Sequence, residues 1–149
     1  KNTLKMADLR TFTAEFTNNE VDWDVNNNFY IKAGTNKNPK DIIGFDIDGT
    51  LTSKPHLFNK CKKSDESVCG LVSHRTLPFI LEFAQKVDIK PDFICSAGFQ
   101  KRNIAKENCL KLSKKWFQSK RAIYIGDEMH DMINALNAGF EYFHPDNFR

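Results

Sequence analysis

The chain has 149 residues, of which 40% are hydrophobic and 28% charged, and a net charge of +3 at pH 7. That length suits one domain with a real core and excludes two ordinary ones. The mild basic balance is well short of what would demand a nucleic-acid partner, and no apolar run approaches a membrane span.

Residues 1–41 are polar and rich in Asn and Thr. Phe12, Ala14 and Phe16 alternate with polar residues, as do Phe29 and Ile31, and 26–28 and 34–36 read as turns. This pattern predicts an N-terminal β-hairpin that covers a sheet edge and carries no chemistry. From residue 42 strands and helices alternate. Strands are expected over 42–47, 68–73, 92–95, 121–126 and 140–143. The segment 52–67 is polar and without periodicity. Thr76 is expected to cap a helix running to about residue 87, with Pro78 tolerated in its first turn. A longer helix follows Gly98, with Ala105, Cys109, Leu112 and Trp116 as its core stripe. Met129, Met132, Ile133 and Leu136 make the stripe of the next helix, which Gly139 ends. The expected fold class is α/β: a doubly wound (Rossmann-like), mostly parallel five-stranded sheet with helices on both faces, in a domain of residues 42–149, plus the extension of residues 1–41.

Cys61, Cys69, Cys95 and Cys109 form no Cys-x-x-Cys pair. Cys95 and Cys109 fall on core patterns, so they are expected to be reduced, with a reducing cytoplasm as the default compartment. His56, Cys61, Cys69 and His74 are of types that suit zinc, but their spacing matches no compact ligand motif. His74 is better read as lining a site mouth.

The chemistry gathers at the strand ends. Asp46 and Asp48 follow one apolar run on alternate residues; Asp127 and Asp131 follow another after Gly126. Adjacent carboxylates repel each other and are costly to hold together without a cation. Four acids at the ends of two buried strands predict a site for a hard cation. Ser73 and Ser96 also end predicted strands, and a switch point in such a sheet is where ligands bind.

The runs Asp46-Ile47-Asp48-Gly49-Thr50 and Gly126-Asp127-Glu128-Met129-His130-Asp131 resemble the first and last motifs of the haloacid dehalogenase-like hydrolase superfamily. The resemblance covers residues from about 41 to 145. It implies an Mg²⁺-dependent phosphatase in which Asp46 is the nucleophile and Asp48 the general acid and then base. Ser73 would hold the phosphate, with Ser96 as its rival. Lys101 would be the catalytic lysine, with Lys106 as its rival. Gly49, Thr50 and His74 would line the phosphate site. Asp46, Asp48, Asp127 and Asp131 would surround the metal, Asp131 as ligand or support. Asp48 is expected to have a raised pKa so that it can protonate the leaving group. An acid at position 48 favours hydrolysis over dehalogenation.

The intervals between motifs leave room for a flap at most, so the chain resembles the capless members. An open site suits a small phosphorylated substrate or a macromolecular end, and a neighbouring subunit is an alternative cover. Lys54, Lys60, Lys62 and Lys63 in the flap are candidates to meet an anionic substrate, or simply a solvated loop. The stretch from Phe29 to Asp46 also has a short similarity to polynucleotide 3′-phosphatases, which keeps nucleic-acid ends as an alternative substrate. A catalytically silent binding module that kept the fold is the remaining reading.

Overall fold

The isoleucine-rich run before Asp46 becomes the centre of a sheet because it can be buried on both faces, as parallel strands require. The computed structural model describes residues 29–32, 34–62, 66–98 and 105–148. Its strands are β1 (Phe29–Ile31), β2 (Asp41–Phe45), β3 (Ser67–Ser73), β4 (Phe93–Ser96), β5 (Arg121–Ile125) and β6 (Glu141–Phe143). They lie in the order β1-β4-β3-β2-β5-β6. The pairs β2–β3, β2–β5, β3–β4 and β5–β6 are parallel, and β1 runs antiparallel to β4 with Tyr30 opposite Ile94.

The expected five-stranded sheet is therefore six-stranded and mixed. The extra strand comes from the region assigned to the extension. Phe29 and Ile31 do form an antiparallel edge, but their partner is β4. The other half of the expected hairpin, around Phe12 and Phe16, lies outside the described residues.

Alternate side chains of β2 feed two separate cores. Ile43 and Phe45 pack with Cys69, Leu71, Ile94 and Ile123 against α1 (His56–Cys61) and α2 (Leu77–Lys86). Ile42 packs with Val68, Val72, Phe93 and Tyr124 against α3 (Ala105–Trp116) and α4 (Met129–Asn137). Helices thus cover both faces. The short α1 lies in the segment that shows no periodicity, six residues being too few to display one. It buries Leu57 and Phe58.

Two expectations about side chains are corrected. The stripe Met129, Ile133 and Leu136 of α4 faces outward, with exposures of 73%, 49% and 57%. The buried side of α4 carries Asp131, Asn134 and Ala135 instead. Polar groups there are matched by partners on α3, so the polar side can face inward. Gly139 ends this helix with φ of +81°, as expected.

The cysteines are not reduced: Cys61 is bonded to Cys69 and Cys95 to Cys109. The first bond ties α1 to β3, the second β4 to α3. These contacts cross between layers and leave no signature in linear spacing. With its thiolates consumed, the zinc reading of His56, Cys61, Cys69 and His74 falls, and the expectation of a reducing compartment loses its basis. Among the described residues no helix is long and apolar enough to cross a membrane.

Candidate active site

β2 ends at Phe45, and the next residue is still held by the sheet: Asp46 N–H donates to the Ile125 carbonyl at 2.9 Å. This bond aims Asp46 into the crevice between β2 and β5, where the chain order reverses. β5 delivers Gly126 and Asp127 to the same place, and the first turn of α4 delivers Asp131. Ligand oxygens of Asp46, Asp127 and Asp131 all lie within 4.8 Å of one another. They line, or lie beside, a cavity of about 370 Å³ whose wall includes Asp46, Asp48, His74, Lys106, His130 and Asp131.

The glycines in both motifs allow this approach. A Cβ on Gly49 would lie 2.1 Å from Asp127 Oδ2, and φ there is +81°. A Cβ on Gly126 would lie 2.6 Å from the Asp131 carboxylate. Neither position tolerates a side chain without displacing a carboxylate.

Lys106 is the cation of the cluster. Its Nζ donates to Asp46 Oδ1 at 2.7 Å and to Asp131 Oδ1 at 2.6 Å, and the side chain is 2% exposed. The sequence favours Lys101 for this role; Lys101 lies outside the described residues, and Lys106 stands at the carboxylates. Lys106 precedes Cys109, Leu110 and Ser113 by three, four and seven residues, and all three are buried, so it lies on the core stripe of α3.

Burial raises the pKa of Asp46 to about 7, with the neighbouring Asp131 adding to the effect and Lys106 opposing it. For Lys106, burial works against the charge, but Asp46 and Asp131 together outweigh it and its pKa is raised. Asp131 is held at both oxygens, since Oδ2 accepts from the Glu128 backbone N–H at 3.2 Å in a capping box. Thr50 Oγ donates to Asp46 Oδ2 at 3.4 Å, a long contact.

Asp48 behaves differently from expectation. Its carboxylate turns away from the triad into a two-pronged pair with Arg75, with Nε at 2.9 Å from Oδ2 and Nη2 at 3.0 Å from Oδ1. The hydrogen bonds from Arg75 lower its pKa, where a raised value was expected. Burial opposes this shift, and the charges of Arg75 and Lys106 add to it. Asp48 still faces the cavity, but its side chain is not among the clustered ligand atoms.

The two candidate phosphate hydroxyls are used differently. Ser73 Oγ accepts from the Arg75 backbone N–H at 3.0 Å, which leaves its own proton to donate. Ser96 Oγ spends its proton on the Arg75 carbonyl at 2.6 Å. Ser96 thus shapes the turn after β3, and Ser73 is the freer donor. His74 and His130 both line the cavity, their tilted rings in contact with centres 5.6 Å apart. Of the flap lysines, Lys54 pairs with Asp146 and Lys62 with Asp92, at 2.8 Å, so both are already neutralised. Lys60 is exposed, and Lys63 lies outside the described residues.

Sequence reasoning missed Arg75, His130 and Asn134. Asn134 accepts from the Glu107 N–H at 2.9 Å and donates to the His130 carbonyl at 2.6 Å, joining α3 to α4 beneath the site. An Asn at the centre of a helix, three residues from a motif aspartate, is the signal that was passed over.

The donor set fits a hard divalent cation. It is all oxygen, three carboxylates stand against one ammonium, and Asp127 Oδ1 is buried with no hydrogen-bond partner. Comparison with family models, with curated proteins and with solved structures finds no match for this chain.

Proposed function

We propose that this chain is an Mg²⁺-dependent phosphomonoesterase of the haloacid dehalogenase-like type, working through a phosphoaspartate on Asp46. The observation that carries the reading is the clasp of Lys106 between Asp46 and Asp131, with the unpartnered oxygen of Asp127 alongside. A structural salt bridge would need one carboxylate per ammonium; here three converge, and the excess negative charge is a cost unless a ligand repays it. β2, β3 and β4 proceed one way across the sheet, β5 and β6 the other, as in a doubly wound Rossmann-like sheet with its ligand site at the reversal.

Asp46, Asp127 and Asp131 would hold the metal. The ion would supply the positive charge that lets an anionic carboxylate approach an anionic phosphate. The chain's own groups do the rest. Asp46 attacks phosphorus through one carboxylate oxygen; the bond from phosphorus to the ester oxygen breaks, and that oxygen takes its proton from Asp48, protonated while its pair with Arg75 is open. Lys106 holds the other part of the Asp46 carboxylate in place and neutralises charge as it accumulates. Ser73 donates its hydroxyl proton to the phosphate, and the N–H groups of the turn at Gly49 and Thr50 are further donors. Water then attacks the phosphorus, the bond from phosphorus to Asp46 breaks to return the free carboxylate and release phosphate, and Asp48, now ionised beside Arg75, takes the proton of that water. For Asp48 to serve the first step as an acid, its pair with Arg75 must open.

The decisive test uses a generic aryl phosphate. Hydrolysis should require Mg²⁺, stop on addition of EDTA and fall by at least 10³-fold in Asp46→Asn, as loss of a covalent nucleophile implies. Full activity in that variant would remove the mechanism. Retained Mg²⁺ binding without turnover across a broad ester panel would favour the silent binding module.

A further inference from the structure

A second cavity of about 210 Å³ adjoins the catalytic one, and Asp48 and Arg75 line both. Its other walls are Ile47 and Thr52 from the turn after β2 and Phe79, Glu82, Phe83 and Lys86 of α2. Phe79, Phe83 and Lys86 recur at helical spacing, so one face of α2 is turned to this space. Phe79 is 58% exposed, an unusual position for a phenyl ring with two cores close by. The Arg75 guanidinium lies over that ring, 5.0 Å from its centre, while its N–H edge is occupied by Asp48. Arg75 is thus a flat group, held at its edge, between the aromatic ring and the catalytic carboxylates.

We propose that this cavity seats the base of a mononucleotide whose phosphate is delivered to Asp46. The proposal rests on the phosphatase reading and adds the substrate class. An aromatic ring beside a fixed guanidinium offers stacking surfaces that any base can use. The rim favours a base over a plain aryl group, because Glu82 accepts hydrogen bonds and Lys86 donates them at the edge of a stacked ring. It also disfavours a long polyanion: Asp48 and Glu82 offset Arg75 and Lys86, so the cavity has no net positive field to follow a phosphate backbone. The shared wall gives the continuity that a leaving group needs.

Three esters test it: adenosine monophosphate (as 3′ and 5′ isomers), glycerol phosphate, and a short single-stranded oligonucleotide ending in a phosphate. With the intact chain and Mg²⁺, kcat/KM for one mononucleotide isomer should exceed that for glycerol phosphate by about tenfold or more. Phe79→Ala should lower that ratio about tenfold, and Phe79→Trp should restore it. Phe79 is surface-exposed, so an unchanged circular dichroism spectrum and melting midpoint are expected in both variants. A ratio that ignores Phe79 would overturn the proposal, and so would an oligonucleotide preferred over both mononucleotides. If no ester is turned over at all, the phosphatase reading fails, and binding decides this one. Adenosine titrated into the labelled protein should shift the resonances of Phe79 and Phe83 and lose affinity in Phe79→Ala; absence of those shifts would refute the base site.

Discussion

Asp46 shows how burial sets a residue's chemistry. Its pKa is lifted from 3.8 to about 7, first by desolvation. The folded state therefore keeps a proton that the unfolded chain releases. Between about pH 4 and 7 the unfolded state binds fewer protons, so this group's contribution to stability falls as pH rises, and the cost is complete above about 7. Without metal, the denaturation midpoint of the native chain relative to Asp46→Asn should decline across that window and then level off; a flat difference would contradict the burial effect. Asp48 is the opposite case, held low by Arg75. Arg75→Ala frees it to return toward the ordinary carboxylate range. Carboxyl-carbon NMR of Asp48 should show its titration moving to higher pH in that variant; a titration that stays in place would contradict control by Arg75.

At the scale of elements, α3 and α4 explain why periodicity misled. Each helix was expected to turn its apolar residues inward. α4 instead buries Asp131 and Asn134 and exposes Met129, Ile133 and Leu136. The buried polar groups find partners on α3, Lys106 for Asp131 and the Glu107 N–H for Asn134. A satisfied polar pair can occupy a core position that hydrophobic patterning would assign to Ile or Leu. Ile133→Ser should therefore change the unfolding free energy by no more than about 0.5 kcal/mol. Leu110→Ala on the buried side of α3 should cost about 3 kcal/mol. Urea unfolding of the two variants would show whether α4 is oriented as described; a large loss in Ile133→Ser would reverse it.

At the largest scale, the described residues form a mixed sheet between two helical layers, tied by two disulfides. Cys95–Cys109 spans 14 residues, and a link of that length is worth about 3 kcal/mol through restriction of the unfolded chain. Treatment with a strong reductant should lower the melting midpoint markedly, and alkylation of the unreduced, denatured protein should label no cysteine among these four. Free thiols in protein purified without reductant would refute both links. Strand β1 pairs along the β4 edge, so residues 29–31, expected to belong to an extension, contribute to the sheet itself.

The local order of strands, the acids at their ends and the glycines beside them were legible in the chain. Each depends on neighbours a few residues away: an apolar run, an alternating carboxylate, a turn that needs positive φ. The choice of Lys106, the turn of Asp48 toward Arg75, the outward face of α4 and the pairing of the cysteines were decided only by tertiary structure. Each rests on contacts between segments about 8 to 60 residues apart in sequence, and its energy depends on burial and on which partner the fold holds at bonding distance. Linear spacing carries no information about either.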